Sequence, residues 1–358
     1  MAIAADETVV TARGGGAVEG VRAEAGNIGV LDGLRGLSVT WIVLFHYTVL
    51  RDDPWAAAMR EAPVLGPAIA QGPFAVDLFF LISGFLLTLP WLMRARDGRP
   101  APDTMSFYRR RILRIVPAYY VNLFALFAVV MPLLYGVTYW RSDLYVYAGN
   151  AVAHALFLHN LSPLTSGSLG VNGALWTLAV EAQFYLLLPW MAPVFARAPW
   201  RSFAVAAAVS AAWLAGAHHG FDALVRWHVE LGRHWGWQEE TIRRLLAMQL
   251  PAYLFDFALG ATLARAWLAR AAIARWAPAR TAAKAAALVF ARGPLAFMGR
   301  ISYSAYLWHL PLMLLLHVEF PLYAASVVAV GWVSWRCIER PFMQARGSGR
   351  AGPPPAPR

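Results

Sequence analysis

The sequence predicts an all-α, polytopic transmembrane helix bundle, and three observations predict it. Of 358 residues, 59% are apolar and only 14% charged, whereas soluble domains carry about 25% charge. Several apolar stretches approach the roughly 20 residues that a helix rising about 1.5 Å per residue needs to cross about 30 Å of hydrocarbon. Barrel-type alternation is missing, so the spans read as helices.

Residues 1–27 are small, polar and Gly-rich without the apolar core of a cleavable signal peptide, and read as a disordered cytoplasmic tail. Eight spans follow, at 34–50, 74–93, 114–134, 175–195, 202–217, 245–264, 295–316 and 320–336, each bounded by charge, Pro or Gly. Two further stretches read as short or partial helices, making ten if both cross. One is 144–159, with His154 and His159; the other is 281–291, Ala-rich and about three turns long. One membrane domain therefore fills 28–341, ahead of a disordered Pro/Gly-rich tail at 342–358.

Basic residues gather beside the spans. Residues 94–114 hold seven Arg against Asp97 and Asp103, and 265–292 hold five Arg and Lys284 with no acid. Cytoplasmic loops collect such residues, which sets both termini inside a multi-pass protein of the inner (plasma) membrane, embedded in membrane lipid. The mixed-sign connectors 51–73 and 218–244 fall outside. The net charge of +11 is then an orientation signal rather than a nucleic-acid footprint. A lone cysteine, Cys337, excludes an internal disulfide and a thiolate metal cage.

Five stretches carry candidate chemistry. In "LDGLRGLSVTWIVLFHY", Arg35 and His46 lie eleven residues apart, three turns plus about 20°, so they share a helix face with roughly 16 Å of rise between them. Arg35 marks the cytoplasmic mouth and His46 sits mid-membrane. A snorkelling anchor and an interhelical hydrogen-bonder are the plainer readings, but ionisable groups within hydrocarbon point to function by default. In "FAVDLFFLISGFLL", Asp77, Leu81 and Gly84 share a face, as a packing seam or a site. In "SFYRRRILRIVPAYY", Arg109, Arg110, Arg111 and Arg114 open a span. They read as a topology signal or, with Arg111 and Arg114 at i, i+3 and no Lys present, as a phosphate grip.

"LWTLAVEAQFYLLLP" carries Trp176, Glu181, Gln183 and Tyr185; a carboxylate at that depth requires a partner such as His46 or an Arg. "GRISYSAYLWHLPL" sets Ser302 and His309 on one face, with Tyr303 nearby. No metal site is expected: five residues along one helix make His154 and His159 diverge by about 140°. Phosphate-cradling Gly loops and the nucleophile-elbow motif are missing as well.

Taken in order, these segments resemble the acyltransferase 3 family of integral membrane O-acyltransferases, which includes polysaccharide O-acetylases and macrolide acyltransferases. The likeness runs from Leu31 to the closing "IERP" at Pro341. It implies transfer of an acyl group from cytosolic acyl-CoA, acetyl-CoA foremost, to a hydroxyl of a glycan, glycolipid or glycosylated metabolite. The coenzyme is then a co-substrate, with no bound cofactor. The His46 counterpart is the essential group in the resemblance, and the Arg35 counterpart serves donor use. On this reading Arg110, Arg111 and Arg114 help hold the donor, Glu181 or Asp77 steadies the imidazole, and Trp176, Tyr185, Ser302, Tyr303 and His309 line the substrate path. Direct transfer and an acyl-histidine intermediate both fit. Position 182 is Ala where many relatives carry a second acid, so Glu181 stands alone. The competing class is a proton-coupled transporter or flippase, which also buries His, Glu and Asp but is built from paired broken helices in matching halves.

Overall fold

The computed structural model describes residues 29–136, 144–166, 172–233, 236–269 and 290–344, where the regular elements are all helical. In chain order the main ones are α1 (Gly29–Leu50), α2 (Phe74–Arg96), α3 (Thr104–Ala125, prolonged to Tyr135), α4 (Leu144–Ala155), α5 (Trp176–Arg197) and α6 (Pro199–His219). Then come α7 (Asp222–Leu231), α8 (Glu239–Ala247), α9 (Leu250–Leu268), α10 (Pro294–Leu315) and α11 (Phe320–Ser334, prolonged to Gln344).

All eight expected spans are helical, with the 245–264 span interrupted between Ala247 and Leu250. Six have both the length and the apolar composition to cross a membrane: Val30–Leu50, Phe74–Arg96, Thr104–Tyr135, Gly173–Arg197, Glu239–Leu268 and Phe320–Gln344. The other two, α6 and α10, have 21 and 22 residues but a more polar make-up. In α10 this reflects position, because its Ser302, Ser304, Tyr306 and His309 are all buried inside the bundle.

Glycines decide how the central helices meet. A Cβ on Gly36 would lie 1.9 Å from the Leu295 carbonyl oxygen, and one on Gly299 would lie 1.8 Å from that of Asp32. Only bare backbone allows α1 and α10 to approach this closely. The two helices run parallel. His46 and His309, each ten residues beyond Gly36 and Gly299, are therefore still neighbours, hydrogen-bonded at 3.0 Å. The same device joins α2 to α9, where Gly84 meets the Phe257 carbonyl and Gly260 meets that of Leu81.

The 144–159 stretch is partial, as expected. α4 has 12 residues, about 18 Å of helix, well short of a crossing. The Tyr119 and Tyr120 hydroxyls donate to the His154 and Ala155 carbonyls at 2.8 and 2.9 Å, so α4 ends beside the middle of α3 with its last-turn acceptors satisfied. Residues 281–289 lie outside the described residues.

One expectation is corrected here. His154 and His159 do not diverge: the helix stops at Ala155, Phe157 takes a φ of 57°, and the two rings stack at 4.1 Å. Among the described residues no group of three or more metal-ligating side chains forms.

The connector 51–73 is not a simple outer loop. Trp41 donates to the Ala68 carbonyl at 2.8 Å, and Gly72 packs under the Phe45 ring, so the chain folds back along α1 past the level of His46. Its anchor is Asp53, which caps the helix Pro54–Glu61 through the Ala56 N–H and accepts from the Tyr47 hydroxyl at 2.6 Å. Burial alone would raise this carboxyl; hydrogen bonds from Tyr47, the Ala56 N–H and Arg51 outweigh it and hold the group below its ordinary value. Asp53→Ala is expected to remove about 1–2 kcal/mol from this corner, read as a lower melting temperature in detergent together with faster proteolysis between residues 51 and 73. An unchanged melting curve and cleavage rate would show that the cap is dispensable.

Candidate active site

α1, α2, α5 and α10 enclose a narrow cavity of about 60 Å³, walled by Arg35, Phe79, Ser83, Thr177, Glu181, Ser302, Tyr303 and Tyr306 among others. Each wall residue follows from helix register. On α5, Glu181 and Tyr185 are one turn apart, so the Tyr185 hydroxyl donates to the Glu181 carboxylate at 2.5 Å. Ser83 of α2 donates to the same oxygen at 2.8 Å. Glu181 therefore finds hydroxyl partners, and its charge faces Arg35.

Arg35 is the cation of this cavity. It lies in the field of Glu181, Tyr185 and Asp32 with Arg114 close by, yet neither Arg35 nor Arg114 makes a hydrogen bond among the described residues. Two guanidiniums with open donor forks at one end of a cavity suit an anion, phosphate above all. Arg111 is turned inward, its guanidinium over the rings of Phe107 (5.5 Å) and Tyr185 (5.7 Å). Arg109 and Arg110 are exposed. The expected donor set is thus divided: Arg35, Arg111 and Arg114 converge, while Arg110 stays on the surface.

A second carboxylate completes this end. Glu339 of the closing "IERP" is only 4% exposed, accepts from the Ser304 hydroxyl, and lies in the field of Arg114 and Arg35. Ser334, five residues earlier, also reaches Ser304, at 2.9 Å. In an α-helix, residues five apart diverge; here Trp335–Glu339 forms a wide π-turn, and its extra residue per turn brings both onto one face.

The far end of the cavity stops at Tyr306, whose hydroxyl donates to the Ala174 carbonyl at 2.8 Å and lies 2.7 Å from the Thr177 hydroxyl. Beyond it stands a pair of imidazoles. Nδ1 of the fully buried His309 is 2.6 Å from the Tyr306 carbonyl oxygen. That oxygen can only accept, so Nδ1 carries the proton and the neutral ring leaves Nε2 bare. This Nε2 sits 3.0 Å from Nδ1 of His46. His46 must then donate from Nδ1, which leaves its own Nε2 with a free lone pair. These two hydrogen bonds favour the tautomer in which His46 can take a proton, and the Ile42 carbonyl is a further partner of the same ring.

Other expected residues lie elsewhere. Asp77 does share a face with Leu81 and Gly84, but that face packs on α9, where Asp256 and Tyr253 are its electrostatic neighbours. Trp176 packs on Phe80 and Tyr253 at ring distances of 6.5 and 5.5 Å. Ser302 and Tyr303 line the cavity, with their hydroxyls given to the Gly299 and Ile115 carbonyls at 2.9 Å each. Gln183 turns away to donate to Asn160 at 3.0 Å. Sequence reasoning missed Glu339, Ser83, Thr177 and Tyr306; an isolated acid between Arg336 and Arg340 was the one available signal.

An apolar bundle holding a buried polar track, with open guanidiniums at one end and an oriented imidazole pair at the other, has the layout of a membrane-embedded transferase. Comparison with known proteins identifies the family, since residues 28–293 match the family model of the acyltransferase domain. The chain belongs to the acyltransferase 3 family. It is 30% identical to a peptidoglycan O-acetyltransferase, OatA, of Listeria monocytogenes over 46% of this chain and 24% of that protein. To the O-acetyltransferase OatA of Staphylococcus aureus (strain NCTC 8325) it is 26% identical over 44% of this chain and 24% of that one. A protein of Komagataeibacter xylinus named as a membrane-bound transacylase, BcsY, is 27% identical over 78% of this chain and 72% of its own length. The match to each OatA thus spans about a quarter of that protein's length. No solved structure matches the chain.

Proposed function

We propose that the protein transfers an acyl group, acetyl foremost, from acyl-CoA entering at the Arg-rich end to a hydroxyl of a cell-envelope carbohydrate. The observation that carries this reading is the orientation of His46 by His309 one residue pair beyond an Arg35-lined cavity. On this reading the Arg-rich end faces the cytosol. The coenzyme's phosphates are held by Arg35, Arg111 and Arg114, while Glu181 and Glu339 balance the guanidiniums and fix their directions. The pantetheine arm follows the cavity toward Tyr306.

His46 Nε2 accepts the acceptor's hydroxyl proton as the oxygen attacks the thioester carbonyl. Collapse of the tetrahedral adduct forms the ester and breaks the C–S bond, and the imidazolium returns its proton to the departing thiolate. General-base catalysis of this kind contributes about 10²–10⁴-fold. Because Tyr306 and Thr177 close the cavity short of His46, the arm has to displace that hydroxyl pair to bring the thioester to the base. The O-acetyltransferase names of the relatives support a carbohydrate acceptor.

The test is transfer of label from acetyl-CoA to a panel of glycans by protein reconstituted in lipid. Labelled ester and one free thiol per transfer are expected. Arg35→Lys, which loses the fork but keeps the charge, is expected to raise the KM for acetyl-CoA about 10–100-fold with kcat nearly unchanged. A thioester that stays intact with every acceptor would reject the reading.

A further inference from the structure

A second cavity lies on the other side of α5 and has no part in the acyl-transfer site. It is a groove of about 440 Å³ between α2, α5, α6 and α9. Its walls are almost wholly apolar, with Leu188, Val205, Val209, Phe257 and Ala258 among them, and its polar residues near one end are Arg201 and Ser202. From Arg201 to Val209 is eight residues of helix, roughly 12 Å. That is close to one leaflet of a hydrocarbon core about 30 Å thick.

Charge at the mouth is unbalanced. α5 ends at Arg197 and α6 begins at Pro199, so Arg197 and Arg201 flank the corner. A neighbouring crevice brings Arg265 of α9 against Ala196. All three guanidiniums are exposed, and none has a hydrogen-bond or carboxylate partner among the described residues. By contrast Arg96 and Arg99, at the same end, share Asp97. The free N–H groups at the start of α6 add further positive potential.

We propose that this groove binds an anionic phospholipid of the leaflet at the Arg-rich end, with one acyl chain along Val205 and Val209 and the phosphate on Arg201. Charge complementarity selects this occupant: a zwitterionic lipid brings its own cation to a mouth that already holds three. Basic pockets between transmembrane helices recognise anionic headgroups in this way, with a gain of about fivefold per cation near the surface.

The test uses the full chain in nanodiscs of equal phosphatidylglycerol and phosphatidylcholine with matched acyl chains. After detergent extraction and gel filtration, the retained lipids are counted by mass spectrometry. Wild-type protein is expected to retain phosphatidylglycerol over phosphatidylcholine by about fivefold. Arg201→Gln removes an exposed, unpartnered head and is expected to bring the ratio near one without reducing the total. Val205→Trp fills the groove and is expected to lower retention of both lipids. Ala208 is exposed on the same helix but outside the groove, so Ala208→Trp is expected to keep the wild-type count and to show that bulk alone is tolerated. Equal retention of the two lipids by wild type, a preserved ratio in Arg201→Gln, or an unchanged count in Val205→Trp would each overturn the proposal.

Discussion

His46→Ala is expected to lower acyl transfer by about 10²–10⁴-fold, to the background of an ordinary assay, while the protein still inserts and remains monodisperse. The loss is large because no second group stands where His46 Nε2 stands. Glu181 is occupied by Ser83 and Tyr185 on the Arg35 side, and Asp77 faces α9. His309 does not take its place, since its bare Nε2 lies on the Nδ1 side of the His46 ring, set back from the position of His46 Nε2. The fold survives because α1 and α10 are held by close backbone approach at Gly36 and Gly299, about three turns from the substitution. What the variant loses structurally is one hydrogen bond to His309, which costs about 1–3 kcal/mol for the acceptor left bare. The measurement is turnover of labelled acetyl-CoA at matched protein concentration, alongside melting in detergent. Wild-type turnover in His46→Ala would remove the assigned chemistry altogether.

What could be read from the sequence was whatever a single unbroken helix determines. Arg35 and His46 share a face because α1 is regular over all eleven residues between them. For the same reason Glu181 and Tyr185 meet, as do Asp77, Leu81 and Gly84. The start of α1 was set too late, at residue 34 instead of Gly29, and the connector folding back along Trp41 and Phe45 was not readable. Partner identity was not readable either. That Gly84 would meet Gly260 of α9, or that His46 would meet His309 across 263 residues, depends on which helices pack. Small residues mark a close-approach face without naming its partner. Two breaks of periodicity hid the rest. The π-turn at Trp335–Glu339 turns Glu339 inward against the 3.6-residue rule, and the end of α4 at Ala155 turns two divergent histidines into a stacked pair.

His309 separates a positioning role from a packing role, because two substitutions each keep a different half of its hydrogen bonding. Asparagine reproduces the Nδ1 position and can still donate to the Tyr306 carbonyl, but it removes the His309 acceptor and leaves the His46 ring with only the Ile42 carbonyl. Glutamine reaches the Nε2 position and can offer His46 a carbonyl oxygen, at the expense of the bond to Tyr306. If His309 acts by fixing the tautomer of His46, His309→Asn is expected to lower kcat roughly 10²-fold with the KM for acetyl-CoA unchanged. His309→Gln should stay within about tenfold of wild type. The expected loss is smaller than the ~10⁴ that a wrong tautomer causes in serine proteases, since His46 can still visit the productive tautomer unaided. A purely structural role predicts the reverse order: His309 is fully buried and its bond to Tyr306 holds the cavity wall, so glutamine would be the damaging change. The split between kcat and KM also distinguishes this residue from Arg35, whose loss is expected in donor KM. Should Asn prove milder than Gln, or should KM rise with kcat intact, His309 belongs to the wall and His46 is oriented by something else.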